Sequence, residues 1–245
     1  MSEPTDGSDF TIGLKLLWGR HERPQRGPKP ALTVPEIVTA AIALADAEGL
    51  EAVSMRRVAE RLGVGAMSLY RYVPGKTELL ELMLDAVHAE PALHSEGTWR
   101  ARLAHLAQET RAMIQRHPWM LQIAVGQRPP LGPNILAVFD ANLQALRESG
   151  LTPRETVAAV ELIGNYVSGA TRAAVEAAQV VERSGVSDED WWGARTAFWE
   201  EYFDAERFPG ISVMWDEGAY DDPLDPFTFG LERVLDGIEA LLAGR

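Results

Sequence analysis

From Thr33 to Leu242 the apolar residues recur at three- and four-residue spacing. No stretch alternates apolar and polar residues between Asn-Gly or Asp-Gly turns. The first period is that of amphipathic helices and the second would be that of strands, so the pattern predicts an all-α chain. The helix starts and stops are equally well marked. Thr33-Val34-Pro35-Glu36 reads as a capping box with Pro in the first turn. Ile37, Ala40, Ala41, Leu44 and Ala45 follow on one face until Gly49. Ser54 is a cap for a second, short helix with Val58, Ala59 and Leu62 inward, ending at Gly63. A third is expected from Ala66 to Val73 and a fourth from Lys76, carrying Leu79, Leu80, Met83 and Val87.

Further along, helices are expected at 98–116, 118–125, 133–149, 153–183, 188–206 and 226–243. The Pro91–Gly97 stretch divides a small unit from a larger one. The organisation predicted is a flexible basic, proline-rich arm over 1–30, a first domain over 31–90 and a second over 97–245. Within the arm, Ile12, Leu14, Leu16, Leu17 and Trp18 are apolar enough to dock on the body as a short element.

The chain contains no cysteine, which excludes disulfides, thiolate nucleophiles and Cys-ligated metals. No apolar run is long enough to span a membrane and no signal-peptide core is present, so a cytoplasmic protein without membrane contact is expected. The net charge of −13 is unevenly spread. Residues 15–76 carry ten bases against six acids, whereas 77–245 carry 13 against 27. A basic N-terminal third on an acidic remainder suits a nucleic-acid-facing module on a solubilising body.

Residues 54–73 have the logic of a helix-turn-helix: small or branched apolar residues where two helices cross, and Gly63 at the turn. With Leu69 and Val73 inward, the second helix turns Ala66, Met67, Ser68, Tyr70, Arg71 and Tyr72 outward. Such a face fits a major groove: Ser68 and Arg71 to base edges or phosphates, Ala66 and Met67 to thymine methyls, the tyrosine hydroxyls to the backbone. Ser54, Arg56 and Lys76 complete the candidates on this side, with Lys76 beside the free N–H groups of the next helix. Arg26 and Lys29 in the arm are candidates for a minor-groove contact.

Gly63-Val64 followed by Leu69-Tyr70-Arg71-Tyr72-Val73-Pro74-Gly75-Lys76 resembles the signature of the tetracycline-repressor (TetR) family over Thr33 to Leu80. The C-terminal half resembles the tetracycline-repressor subclass at Arg116-His117-Pro118-Trp119, Gly126-Gln127-Arg128-Pro129, Gly132-Pro133-Asn134 and Phe229-Gly230-Leu231. The resemblance implies a three-helix helix-turn-helix DNA-binding domain and a larger helical domain that binds a small effector and dimerises. It also implies a homodimer, a two-fold symmetric double-stranded DNA operator and a regulator, in repressor form, released by its effector. The tetracycline repressor holds its drug's magnesium with a histidine two residues before the Gly-x-Arg-Pro. Ala124 stands there in this chain, and no Asn lies near Leu106, so the effector implied is not tetracycline–magnesium.

Candidates for the effector pocket are His105, Met113, Trp119, Gln122, Ile123, Phe139, Asn142, Asn165 and Tyr166, with His105 and Asn165 read as buried polar groups. The small-residue helix at 153–183 and the apolar face of 226–243 are expected to pair with their copies in a dimer. The 185–225 stretch, rich in Trp and acids, reads as a lid or an interface element. No cofactor, metal site or enzyme motif is expected. Gly75-Lys76-Thr77 lacks the preceding P-loop glycine, and Asp85-Ala86-Val87-His88 has no second copy to make a di-iron bundle. On residues alone, a helical ligand-binding or adaptor protein without sequence-specific DNA binding remains the alternative.

Overall fold

The computed structural model describes residues 7–20, 32–94, 96–123 and 130–244. Among these the chain is all-helical. The expected capping box opens α2 (Val34–Glu48): Thr33 Oγ1 accepts from Glu36 N, and Thr33 N donates to the Glu36 carboxylate at 2.7 Å. Ser54 caps α3 (Met55–Leu62) by accepting from Arg57 N, and α4 (Ala66–Leu69) and α5 (Lys76–Val87) follow.

The body comprises α6 (Trp99–Arg116), α7 (Met120–Ile123), α8 (Pro133–Arg147), α9 (Pro153–Ser184), α10 (Asp188–Gly193), α11 (Pro209–Asp216) and α12 (Pro226–Ala243). A second full capping box, Thr152 with Glu155, starts the long α9, and Gly185 ends it in the left-handed conformation.

The short element expected to dock from within the arm is present: Gly7–Leu17 forms a helix, α1, that packs against α5 with Leu16 buried, so this part of 1–30 is not a free arm. The apolar run from Ile12 is what allows it to dock. The single helix expected over 188–206 is broken into α10 and a π-helical turn at Phe198–Tyr202, and α11 was not foreseen. The third helix is shorter than expected: regular helix stops at Leu69 and the chain turns through Tyr72, with Tyr72 N and Val73 N both donating to Leu69 O at 2.8 and 2.9 Å. Pro74 disfavours helical backbone at Val73 and so tightens this last turn.

Two cores hold the molecule. One joins α1 to α5 with the far end of α6, α7 and Val175 of α9; Ile37, Val58, Leu69, Val73, Leu79 and Met83 are completely buried in it. The other, in the body, packs the first half of α6 with α8, α9 and α12 through Leu103, Leu146, Ile163, Leu231 and Leu235. The apolar interior is therefore continuous across the Pro91–Gly97 connection.

Candidate functional site

The turn between α3 and α4 is built by backbone bonds that demand glycine. Gly63 has φ +69°, its N–H donates to Glu60 O at 3.1 Å, and Val64 N donates to Ala59 O at 3.0 Å. This pair of bonds closes α3 and swings the chain steeply into α4, a course a side chain at 63 would strain. The inner faces meet through Val58, Ala59, Leu69 and Val73, all buried.

What remains outside is the face expected from sequence. Met67 is 78% exposed and Tyr70 46%, with Arg71 and Lys76 also exposed. Ser68 is half-buried. Tyr72 and Ala66 are less free than expected: both are half-buried and pack against the first core. Among the described residues no ion pair engages Arg61, Arg71 or Lys76. Arg56 pairs only with Glu60 one turn on at 3.2 Å, both well exposed, and Arg57 is held by Glu48 at 2.7 Å. Beside this face, α5 begins at Gly75 with no side-chain cap, leaving backbone N–H groups open. Exposed cations, a free methionine and tyrosine, and an open helix N-terminus make a surface suited to a phosphate backbone and base edges. Arg26 and Lys29 lie outside the described residues.

The effector candidates do not converge. Met113, Trp119 and Ile123 are buried in the first core. Trp119 Nε1 donates to Asp46 Oδ1 at 2.7 Å, so its polar group is spent on α2. His105 lies 2.6 Å from His94 and 3.1 Å from Ala92 O, strapping the 91–97 connection to α6. Asn142 Nδ2 donates to Val138 O within its own helix. The Tyr166 hydroxyl donates to the carbonyls at the start of α12. Asn165, expected to be a buried polar group, is exposed on α9, as are Gln122 and Phe139 on their helices. The long α9 turns one stripe inward, Val160, Ile163, Val167 and Thr171, and Asn165 falls outside that stripe.

The joint between the two units is polar as well as apolar. His117, buried at the α6–α7 corner, faces Asp46 of α2 through Nδ1 at 2.7 Å and Glu90 through Nε2 at 2.9 Å. Arg116 adds two bonds to the other Glu90 oxygen, at 3.0 and 2.7 Å. Burial works against the Glu90 carboxylate, but the bonds from Arg116 and His117 outweigh it and hold its pKa below the usual range.

A family model described as "Bacterial regulatory proteins, tetR family" matches residues 37–83, and one described as "Tetracyclin repressor-like, C-terminal domain" matches residues 90–242. The chain belongs to the TetR family. It is similar to the HTH-type transcriptional repressor DrrR1 of Streptomyces coeruleorubidus, 46% identical over all of this chain and 91% of that protein. The class A tetracycline repressor from transposon 1721 in Escherichia coli is 29% identical over 82% of this chain and 88% of its own. Among solved structures, ActR of Streptomyces coelicolor in complex with actinorhodin superposes with TM-score 0.72 at 28% identity. That match covers 86% of this chain and 97% of ActR.

As a TetR-family member the chain is a DNA-binding transcriptional regulator. Among the residues that tie the α3–α4 surface to the TetR-type body, sequence reading missed Asp46 and Glu90, and weighed Asp85 only as a metal-bundle residue. His117 and Asn134 stood inside quoted motifs, but their partners lie 71 and 49 residues away, beyond any local spacing.

Proposed function

We propose that the chain acts as a homodimeric repressor that binds a two-fold symmetric operator and is released by a small molecule held in its helical body. The observation that carries the reading is the α3–α4 face, where Met67, Ser68, Tyr70 and Arg71 stand out from a turn closed by Gly63, flanked by Lys76 at an open helix N-terminus. In a dimer, two such faces about 34–36 Å apart enter successive major grooves.

Support for the dimer comes from an open apolar groove of about 450 Å³ between α9 and α12, lined by Ala158, Leu162, Val234, Ile238 and Leu241. Leu162 and Leu241 are half exposed in the single chain, as expected of a face that awaits a second copy. A small-molecule effector is supported by ActR, a solved structure similar to this chain, which is in complex with actinorhodin. Tetracycline–magnesium is not the expected effector; Ala124, on which that reading rests, lies outside the described residues.

Selection from a random oligonucleotide pool tests the reading. It should return a symmetric sequence with half-sites about one helical turn apart. Enrichment of no symmetric sequence, or a strict monomer by sedimentation equilibrium at micromolar concentration, overturns it.

A further inference from the structure

The start of α8 has no cap of its own. Gly132 offers no side chain and Pro133 no N–H, so the amides of Asn134 and Ile135 need an acceptor from elsewhere. They find it on α5, the last helix of the DNA-binding unit. Asp85 Oδ1 accepts from Asn134 N at 3.0 Å and from Ile135 N at 3.1 Å, and Oδ2 accepts from Asn134 Nδ2 at 3.0 Å. The carboxylate is buried, 5% exposed, and the approach is so close that a Cβ at Gly132 would overlap it. The glycine at this point of the Gly132-Pro133-Asn134 run is thus explained by Asp85 and not by backbone freedom.

The same α5 that carries Asp85 buries Leu79, Met83 and Val87 in the core shared with α2, α3 and α4. One helix is therefore packed on the recognition unit along one side and bonded to the body along the other. Apolar faces can slide past each other by an ångström or two with little loss. A buried carboxylate seated on three N–H donors cannot move without breaking them.

We propose that Asp85 is the positioning residue that fixes the recognition helix relative to the body, so that displacement of the α8 N-terminus is transmitted to α5 through this carboxylate. The inference rests on the DNA-binding reading above for its consequence, but not for its geometry.

Because the chain has no cysteine, Arg61→Cys on α3 and Arg147→Cys at the end of α8, both exposed, give two clean spin-label sites. Labelled chain diluted into unlabelled chain reports the distance from the recognition unit to α8 within one protomer. Three variants are compared with the parent: N134D, which sets a second carboxylate against Asp85; D85N; and D85N/N134D, which exchanges donor and acceptor. N134D should shift or broaden the distance distribution by about 2 Å or more. In unlabelled protein it should weaken affinity for the pool-selected DNA about tenfold or more, as like charges meeting in a buried site do. D85N should weaken that affinity about threefold, the loss of one charge-assisted contact. D85N/N134D should bring both readouts back to within about twofold of the parent, the coupling expected of two groups in direct contact.

Loss of fold stability alone would lower the melting temperature without moving the distance in folded molecules. The proposal is overturned if folded N134D keeps the parental distance and affinity, or if the double variant shows the added losses of the singles. Should N134D not fold, by circular dichroism, an unchanged D85N or an unrestored double variant overturns it equally. A parent chain that selects no DNA counts against the regulator reading, while the spin-label distances still decide the role of Asp85.

Discussion

The helix-turn-helix unit and the excursion between α9 and α12 are both made of short helices rich in apolar residues, yet they treat those residues in opposite ways. In the first, Ile37, Ala41, Val58, Leu69, Val73 and Leu79 are wholly buried. In the second, from Ser187 to Leu224, no residue is buried. Its aromatic rings touch one another instead: Trp192 to Trp199 at 5.8 Å, Trp199 to Trp215 at 5.9 Å, Trp215 to Tyr220 at 5.9 Å. Trp215 is 62% exposed and Tyr202 72%. Apolar periodicity reports that a helix has a face to cover, not what covers it. The first region covers its faces with itself. The second leaves its aromatic rings exposed to water, continuous in chain with the α9 and α12 faces proposed to pair in the dimer.

The sharpest way to break this comparison is to delete side chains in each region. Leu69→Ala removes a fully buried side chain from the recognition unit and should cost about 3 kcal/mol in urea denaturation, with loss of DNA binding through loss of fold. Arg71→Ala, on the exposed face a few residues away, should leave the denaturation curve unchanged. It should cost about 2 kcal/mol of operator affinity at a single base position if the guanidinium reads guanine. A loss spread evenly over all sequences, with a lower salt slope, would instead assign Arg71 to phosphate. In the excursion, Trp192→Ser with Trp215→Ser should alter the stability of the dissociated chain by less than about 0.5 kcal/mol. If those rings cover the partner chain, the same pair should raise the dimer dissociation constant about tenfold, measured by sedimentation; an unchanged constant would assign the segment a lid role instead. If the pair destabilises the lone chain as much as Leu69→Ala does, the two regions are not different in kind.

How far the sequence could be read follows the same division. The capping residues Thr33, Ser54, Thr152 and Ser187 each stand where a helix begins, because a cap is a local interaction spanning two or three residues. The inward set Val58, Leu69 and Val73 was legible for the same reason. Tyr72 was misjudged because the helix ends early at Leu69, and Asn165 because a 32-residue helix drifts through several faces while only one packs inward. The contacts that couple the two units, Asp85 with Asn134 and His117 with Asp46, join residues 49 and 71 positions apart, which no local spacing encodes. The break of the expected 188–206 helix into α10 and a π-helical turn has no Pro or Gly signal beyond Gly193 to announce it.

The smallest expected effect lies at the point where the excursion returns to the body. Asp225 caps α12 by accepting from Thr228 N at 3.2 Å and from Thr228 Oγ1 at 2.6 Å, and it accepts from both terminal nitrogens of Arg111 on α6 at 3.0 and 3.3 Å. The Thr228 and Arg111 bonds favour the ionised carboxylate and bring its pKa from 3.8 to about 2. A folded-state pKa below the unfolded one means that the stabilisation is complete above about pH 4 and fades as the pH falls toward 2. The side chain is 44% exposed, so solvent screening reduces the contribution to about 1 kcal/mol. Asp225→Asn should therefore be less stable than the parent by about that amount at pH 7, the difference closing as both are titrated below pH 3. A difference that stays constant down to pH 2 would assign the stabilisation to the capping hydrogen bonds, which an amide oxygen partly preserves, and not to the charge facing Arg111. Asp225 would then belong with the local caps of the helix-turn-helix unit. A closing difference instead makes it a charge contact between α6 and α12 that holds the otherwise exposed excursion to the core.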